Sequence, residues 1–466
     1  MSCNTFKMGL LLVMLLGSMS MTTGANIYIA NKFEINSTKG PFSHIVLDRM
    51  RGNIYAGAMN SLYQLSSDLK LIKSATTGPK DDNPNCQPHN INASCDQPKT
   101  PMNTYNKALV IDYNNIKLIA CSSLYHGICE KYNLNDIESK DPDIYVPVVA
   151  NSDRSTTVAF IAPGPLDGSS QPEVLYVAAS RTNAGQSVFR DLVPAIASRK
   201  LETFDLFYKG INTSTSKRIQ AMHRDTFPVH YIYGFSSNGF SYFVTVQKQN
   251  LSTESYISKL IRVCQEDKDY YSYAEVQLKC MYKGTHYNLV QAAYVATAGR
   301  YLASTMDMDV LNNVLYVVCS IGSLNTAIPG SDSALCIYPL KTVQKIFTEN
   351  IQACFNGIGN TGPSHIIASV PCQKMNSSFN IDDDFCGTYG INTPIDGRTP
   401  IQTEAFITFK TTVSAVAVKV EYFDDAIVFV GTAKGHIIKA LIPSKQMTEI
   451  IVEDGNKIHA DMIFDL

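Results

Sequence analysis

A short strand pattern, an apolar or aromatic pair followed by small or apolar residues, recurs six times along the chain and restricts the possible folds more than any other feature. The copies read Ile54-Tyr55-Ala56-Gly57, Leu118-Ile119-Ala120-Cys121, Leu175-Tyr176-Val177-Ala178, Tyr242-Phe243-Val244-Thr245, Leu315-Tyr316-Val317-Val318 and Val428-Phe429-Val430-Gly431. Their spacing is irregular but persistent, and the last gap is the widest. Further short strands flank the copies at close range. Residues 44–47 precede the first across a polar turn at 48–53, and residues 61–65 follow it across 58–60. Residues 108–111 stand ahead of the second copy, and residues 414–420 and 437–442 bracket the last, where Gly435 supplies the backbone freedom its turn needs. Strand, polar turn, buried strand, tight turn, strand is a meander, and a repeated meander buries faces that no single sheet can bury alone. The pattern predicts an all-β radial array, a β-propeller.

Such an array also accommodates the length. At 466 residues the chain is long for one domain, but each blade of a propeller contacts mainly its neighbours. With 45% apolar residues, 17% charged residues and a net charge of −2, the chain folds as a globule and makes no electrostatic case for nucleic acid. The absence of Trp removes the propeller classes that carry Trp-Asp or other Trp-bearing signatures.

Residues 1–25 read as a secretory signal peptide outside the fold: Lys7 precedes the short apolar run at 8–16, and Thr23-Gly24-Ala25 offers small residues for cleavage. An uncleaved anchor or buried helix is the alternative. No later segment approaches the length of a membrane span, so no direct membrane insertion is expected. Of the 12 cysteines, Cys3 falls in the signal peptide; the remainder lack a C-x-x-C pair, and no histidines stand at metal-ligand spacing beside them. Disulfides in an oxidising compartment are the default, and the sequons at Asn36, Asn92, Asn212, Asn250 and Asn376 point to the same compartment. Neither a metal nor a cofactor is expected.

A catalytic constellation is not legible. Asp382, Asp383 and Asp384 lack the alternating spacing of a calcium loop and read as turn and cap residues. There is no Gly-x-Ser-x-Gly elbow. The stretch from Gly234 to Gly239 reads as a hairpin through its Asn-Gly dipeptide, and His223 and His286 as ordinary loop or core residues. The widest gap holds an insertion over residues 340–398. In it Val343, Ile346, Phe347, Ile351 and Phe355 predict a helix over 342–355 packed against the propeller's side.

The stretch from Ile54 to Leu69, then Thr77-Gly78-Pro79 through Asp82-Asn83-Pro84-Asn85-Cys86, resembles the opening of a plexin Sema domain. So do Cys121-Ser122-Ser123-Leu124-Tyr125-His126-Gly127-Ile128-Cys129, Tyr231-Ile232-Tyr233-Gly234-Phe235-Ser236-Ser237 and Tyr271-Ser272-Tyr273. Gln291-Ala292-Ala293-Tyr294, Ser333-Ala334-Leu335-Cys336 and Ile381-Asp382-Asp383-Asp384-Phe385-Cys386 continue the series in family order, most similar to the A-type plexins. Semaphorins share the Sema fold and the Ser-Ala-Leu-Cys element but lack the plexin-like segment at 82–86 and the paired Cys121 and Cys129.

The resemblance implies a seven-bladed propeller over residues 26–466 that binds semaphorin Sema domains as the outer part of a cell-surface receptor in cell or axon guidance. Homodimerisation or receptor self-association is a further partner mode. It implies disulfides Cys86–Cys95, Cys121–Cys129, Cys264–Cys386, Cys280–Cys336 and Cys354–Cys372. Cys319 is then the remainder, read as a buried free thiol with an intermolecular bridge as the alternative. In the family semaphorin docks edge-on near the segment before the Ile-Asp-Asp element, which implicates Lys374 and Met375; a glycan on Asn376 would stand in a partner's way. Blade seven is expected to be incomplete, with residues 27–30 as its outer strand and 461–466 as its inner strand, and without the small cysteine-rich module, membrane span or cytoplasmic domain of the longer family members. A secreted decoy or semaphorin-like ligand is the alternative function, and a secreted propeller hydrolase the remote one.

Overall fold

The structure, a computed structural model, describes residues 11–17, 27–35, 40–88, 95, 97–211, 213–323, 325–375, 380–388, 390–420 and 425–464, with backbone only for 11–17, 27 and 28. Among the described residues it is an all-β propeller of six antiparallel blades. Blade one comprises Phe42–Asp48, Asn53–Ala58, Ser61–Leu65 and Leu71–Thr76; blade two comprises Asn106–Asp112, Lys117–Ser122, Cys129–Asn133 and Asp136–Lys140. Blade three runs Thr157–Pro163, Glu173–Ala179, Ile196–Arg199 and Ser216–Lys217. Blade four runs Val229–Ser237, Phe240–Lys248, Tyr256–Cys264 and Ala274–Tyr282, with Thr285–Tyr287 added at its outer side. Blade five uses Leu289–Thr297, Asn313–Gly322, Pro329–Pro339 and Ile407–Phe409, and blade six uses Val413–Val420, Ala426–Thr432, His436–Leu441 and Met447–Ile451.

All six copies of the repeated pattern are second strands of their blades. Side chains alternate across a strand, so each second strand feeds two different cores. In blade two Leu118 and Ala120 join Tyr55 and Leu62 of blade one, whereas Ile119 and Cys121 join Leu175 and Val177 of blade three. Tyr176 and Ala178 meet Phe243 of blade four, and Tyr242 and Val244 meet Leu315 and Val317 of blade five. Tyr316 and Val318 then meet Val428 and Val430 of blade six. Covered on both faces, these strands read as unbroken apolar runs.

A seventh blade is not among the sheets of the described residues, and this corrects the expected pairing; residues 465–466 of the expected inner strand lie outside the described residues. Ile27–Glu34 spends its ladder on Leu11–Gly17, with Gly17 opposite Ile27 and Leu11 opposite Glu34. Residues 461–464 lie outside any strand. Both segments nevertheless cover the two blade faces that lack a neighbour. Phe33 and Ile35 pack on Ile54, Ala56 and Tyr63 of blade one, while Ile458, Met462 and Phe464 pack on Phe429 and Ile437 of blade six. The Ser414 hydroxyl donates to the Ile458 carbonyl at 2.7 Å, and the Ile45 amide donates to Asp461 Oδ2 at 3.2 Å, so residues 458–461 bridge the first strands of blades six and one.

The predicted helix is present as Leu340–Phe355, and a seven-residue helix, Gly299–Thr305, adds to it in the first connection of blade five. Asn238 and Gly239 both have positive φ, as a type I′ turn requires, and they join the first two strands of blade four as the Asn-Gly dipeptide predicts.

Gly435 has φ +85°, and a Cβ there would lie 1.7 Å from the Glu453 carbonyl oxygen. Gly435→Ala is therefore expected to destabilise the protein well beyond Gly455→Ala. Gly455 has a similar φ of +83° but open space around it, and its change should cost only about 1 kcal/mol from backbone preference. Denaturant unfolding of the two variants measures the difference.

Candidate ligand-recognition site

The insertion is the largest addition to the bare propeller. Its helix forms because Val343, Phe347, Ile351 and Cys354 recur on one face, all buried, while Lys345 and Glu349 pair across the exposed face. It ends in a Schellman motif: the Gly357 amide donates to the Cys354 carbonyl at 2.8 Å, the Ile358 amide donates to the Ala353 carbonyl at 2.9 Å, and Gly357 takes φ +80°.

Under the helix lies Arg262, on the third strand of blade four and only 1% exposed. Its guanidinium is 4.1 Å from the ring centre of Phe240 and 4.8 Å from that of Phe347. Burial pulls its pKa down, while Tyr242, Asp383 and Asp384 act to hold its proton. Nε and Nη1 find no acceptor among the described residues, so the charge is met by two aromatic faces and by Tyr242. The Asp cluster straps the helix from outside. Thr348 Oγ1 donates to Asp383 Oδ1 at 2.6 Å, Gln344 Nε2 donates to the Asp383 carbonyl at 3.0 Å, and Asp382 Oδ1 accepts from the Asp384 amide at 3.1 Å. Asp382 makes the turn expected of it, whereas Asp383 braces the flank of the helix and caps neither end.

Beyond the helix the chain returns as Ile395–Glu404, a strand parallel to Ala274–Tyr282 on the outside of blade four. An ion cluster fixes it there. Lys259 Nζ lies 2.5 Å from Glu275 Oε1 and 2.8 Å from Asp396 Oδ1. Gln247 Nε2 and the Tyr273 hydroxyl donate to Glu275 at 3.2 and 3.1 Å. Glu275 is fully buried and cannot be left with fewer partners without a large cost. Burial pulls the Lys259 pKa down, but Glu275 and Asp396 outweigh it and the net shift is upward. Burial also raises Asp396, against the pull of Lys259. His365 stacks on Phe227 with ring centres 4.2 Å apart, and burial together with Lys259 pushes its pKa down to about 3. Gln220 completes the attachment: its amide donates to the His365 carbonyl at 2.8 Å and its Nε2 donates to the Ser364 carbonyl at 3.0 Å.

The loop so anchored is closed by the Cys354–Cys372 disulfide and cross-braced by the Thr361 amide to the Val370 carbonyl at 2.7 Å and the Cys372 amide to the Gly359 carbonyl at 3.0 Å. It nonetheless exposes Ile358, Ile367 and Val370. Lys374 is exposed and forms a β-bridge with Asn356 at the helix end; Met375 is half-buried and its amide donates to the Phe355 carbonyl at 2.9 Å. The two residues flagged in the sequence therefore sit beside a rigid loop with three exposed apolar side chains. Periodicity could not reveal that loop.

The remaining disulfides join Cys86 with Cys95, Cys121 with Cys129 across adjacent strands of blade two, Cys264 with Cys386, and Cys280 of blade four with Cys336 of blade five. Cys319 is buried and unpaired, with its thiol pKa raised by burial. Asn250 is exposed and its Oδ1 accepts from the Ser252 amide; Asn36, Asn92, Asn212 and Asn376 lie outside the described residues. His223 ends a short turn, Ala221–His223, and His286 lies in the edge strand Thr285–Tyr287 with a pKa lowered by burial. Among the described residues no three His, Cys, Asp or Glu side chains converge as a metal site, and no helix is long and apolar enough to cross a membrane.

The described residues therefore define a β-propeller that carries a braced insertion with an exposed, partly apolar loop. The family follows from comparison: residues 290–465 match the Sema domain family, and the chain carries a Sema domain of the plexin type. It is 32% identical to human plexin-A4 over 91% of its own length and 31% identical to mouse plexin-A2 over 96%. It spans only about a quarter of the length of either relative, 23% and 24%. A solved structure of the plexin A4 full extracellular region superposes with a TM-score of 0.81 at 30% identity, covering 91% of this chain and 44% of that one. Drosophila semaphorin 2a shares the fold alone, with a TM-score of 0.56 at 14% identity.

The buried histidines give the fold a pH dependence of defined sign. Burial lowers His126, His230, His286, His365 and His459 below their unfolded pKa. The unfolded chain then binds more protons as pH falls through about 6.5, so stability is lost on acidification. Asp396, with its raised pKa, takes up a proton in the fold at lower pH and acts in the opposite sense. The melting temperature is expected to fall from pH 7 to pH 5.5, and His365→Gln should flatten that slope; scanning calorimetry across the range measures both.

Proposed function

We propose that residues 26–466 form the ligand-recognising domain of a semaphorin receptor, located outside the cell or at its surface and reached through cleavage of residues 1–25, which removes Leu11–Gly17 and frees the ladder edge of Ile27–Glu34. The observation that carries this reading is similarity to plexin-A4 over 91% of the chain, joined to a TM-score of 0.81 against a plexin A4 extracellular structure. The far weaker likeness to semaphorin 2a favours a receptor over a semaphorin-like ligand. Recognition is assigned to the braced loop of the insertion. Exposed Ile358, Ile367 and Val370 offer an apolar centre, Lys374 offers a charged rim, and rigidity limits the entropy lost on docking. The partner on this reading is the Sema domain of a semaphorin, approached edge-on.

Surface plasmon resonance against a panel of semaphorin ectodomains is expected to give saturable binding to at least one. Ile367→Glu combined with Val370→Glu should weaken it by about tenfold or more, the loss expected when the centre of an interface is disrupted. Failure of every semaphorin to bind the folded protein would overturn the reading.

The same proposal includes a seventh blade. It rests on the two covered faces, packed by Phe33 and Ile35 on one side and by Ile458, Met462 and Phe464 on the other. On this reading residues 27–30, freed from Leu11–Gly17 by cleavage, become the outer strand of that blade and residues 461–466 its inner strand. A chain extended by two strands of the plexin pattern is expected to melt at a higher temperature and give more monomer, because the exposed edges become paired. Equal melting temperatures and yields for the two forms would refute the seventh blade.

A further inference from the structure

Four arginines converge in the two connections that leave the second and fourth strands of blade three. Strand order brings both connections to the same end of the blade. Arg181 Nε donates to Asp225 Oδ1 at 2.8 Å, and its Nη1 donates to Asp191 and to the Arg190 carbonyl. Arg224 Nη1 donates to the other oxygen of Asp191 while its Nε donates to the Ile219 carbonyl at 2.8 Å. Arg190 Nε donates to the Gly185 carbonyl at 3.0 Å, and Arg218 Nη1 donates to the Asp191 carbonyl. The two carboxylates thus accept from Arg181 and Arg224 alone, while Arg190 and Arg218 are held only by backbone carbonyls. Each arginine is aimed by at least one hydrogen bond, and among the described residues none of the four Nη2 groups donates to a protein acceptor. Desolvation and the nearby Arg224 charge lower the Arg218 pKa, which marks like charges held close together.

We propose that Arg181, Arg190, Arg218 and Arg224 form a binding site for a sulfated polysaccharide chain. Planar N–H forks match the oxygens of a sulfate group and pair with them more strongly than neutral donors do. The geometry favours a thin polyanion over an acidic protein face. Asp225 is 63% exposed and Asp191 35% exposed within the cluster. A broad acidic surface would have to bury both carboxylates against its own, whereas a narrow chain passes its sulfates to the forks and leaves both in water. The inference depends on the receptor reading only for its compartment.

The test measures binding of the full chain to immobilised heparin at physiological ionic strength. Saturable binding that weakens steeply with added salt is expected. Arg190→Gln combined with Arg218→Gln removes two forks that hold only backbone carbonyls, and should weaken binding by about tenfold or more in a protein that still unfolds cooperatively, with a melting temperature lowered only by the two lost hydrogen bonds. Arg190→Lys with Arg218→Lys keeps the charge and should lose less. Desulfated heparin and polyglutamate should both bind far more weakly. The proposal is overturned if heparin does not bind saturably, if the double Gln variant binds as the parent does, or if polyglutamate binds as tightly as heparin. Ile367→Glu with Val370→Glu should leave heparin binding intact, so that failure here and failure of the semaphorin reading are told apart.

Discussion

The propeller depends on each blade covering its neighbour. No second strand could remain folded with one face open to water: Leu118, Ile119, Leu175, Val244, Val317 and Val428 are all completely buried, yet they point alternately to opposite sides of their sheets. The apolar area removed from water is thus shared between blades. The same rule explains the two blades that lack a sheet on one side. Blade one draws Phe33 and Ile35 over its face, and blade six draws Ile458, Met462 and Phe464, because an exposed sheet of that size would be an association surface.

The insertion is held by different physics. Only part of its contact with blade four is apolar; the rest is charge kept dry by design. Arg262 lies between two phenyl rings, and Lys259 shares its proton-rich head between Glu275 and Asp396. Buried ions of this kind contribute little net stability but heavily penalise any arrangement that separates them. They therefore fix where the insertion sits more than how firmly the propeller holds together. A loop meant for recognition benefits from that, since a displaced loop would present the wrong side chains.

How much of this was legible follows from burial. Second strands announced themselves because both faces are covered, and the helix announced itself because Val343, Phe347 and Ile351 recur at helical spacing. Edge strands did not. Ser216–Lys217 is two residues long, and Ile395–Glu404 contains Gly397 and Pro400, which argue against a strand when read locally. The stack of His365 on Phe227 and the convergence of four arginines join residues far apart in sequence, so no local pattern records them. Cysteine spacing left the pairing open, and resemblance supplied it. The number of blades came from resemblance too, and there the sheets observed stop at six.

Gln220 joins two regions that the sequence keeps apart. One end of this residue sits two positions from Arg218 and one before the turn Ala221–His223; its amide and side chain grip the His365 and Ser364 carbonyls of the insertion. Two hydrogen bonds from a single residue resist rotation as well as separation, so Gln220 works as a pinned joint and not as a tether. The braced loop and the arginine-bearing connection are therefore held in one fixed relation, and a shift of either would break both hydrogen bonds of Gln220 at once.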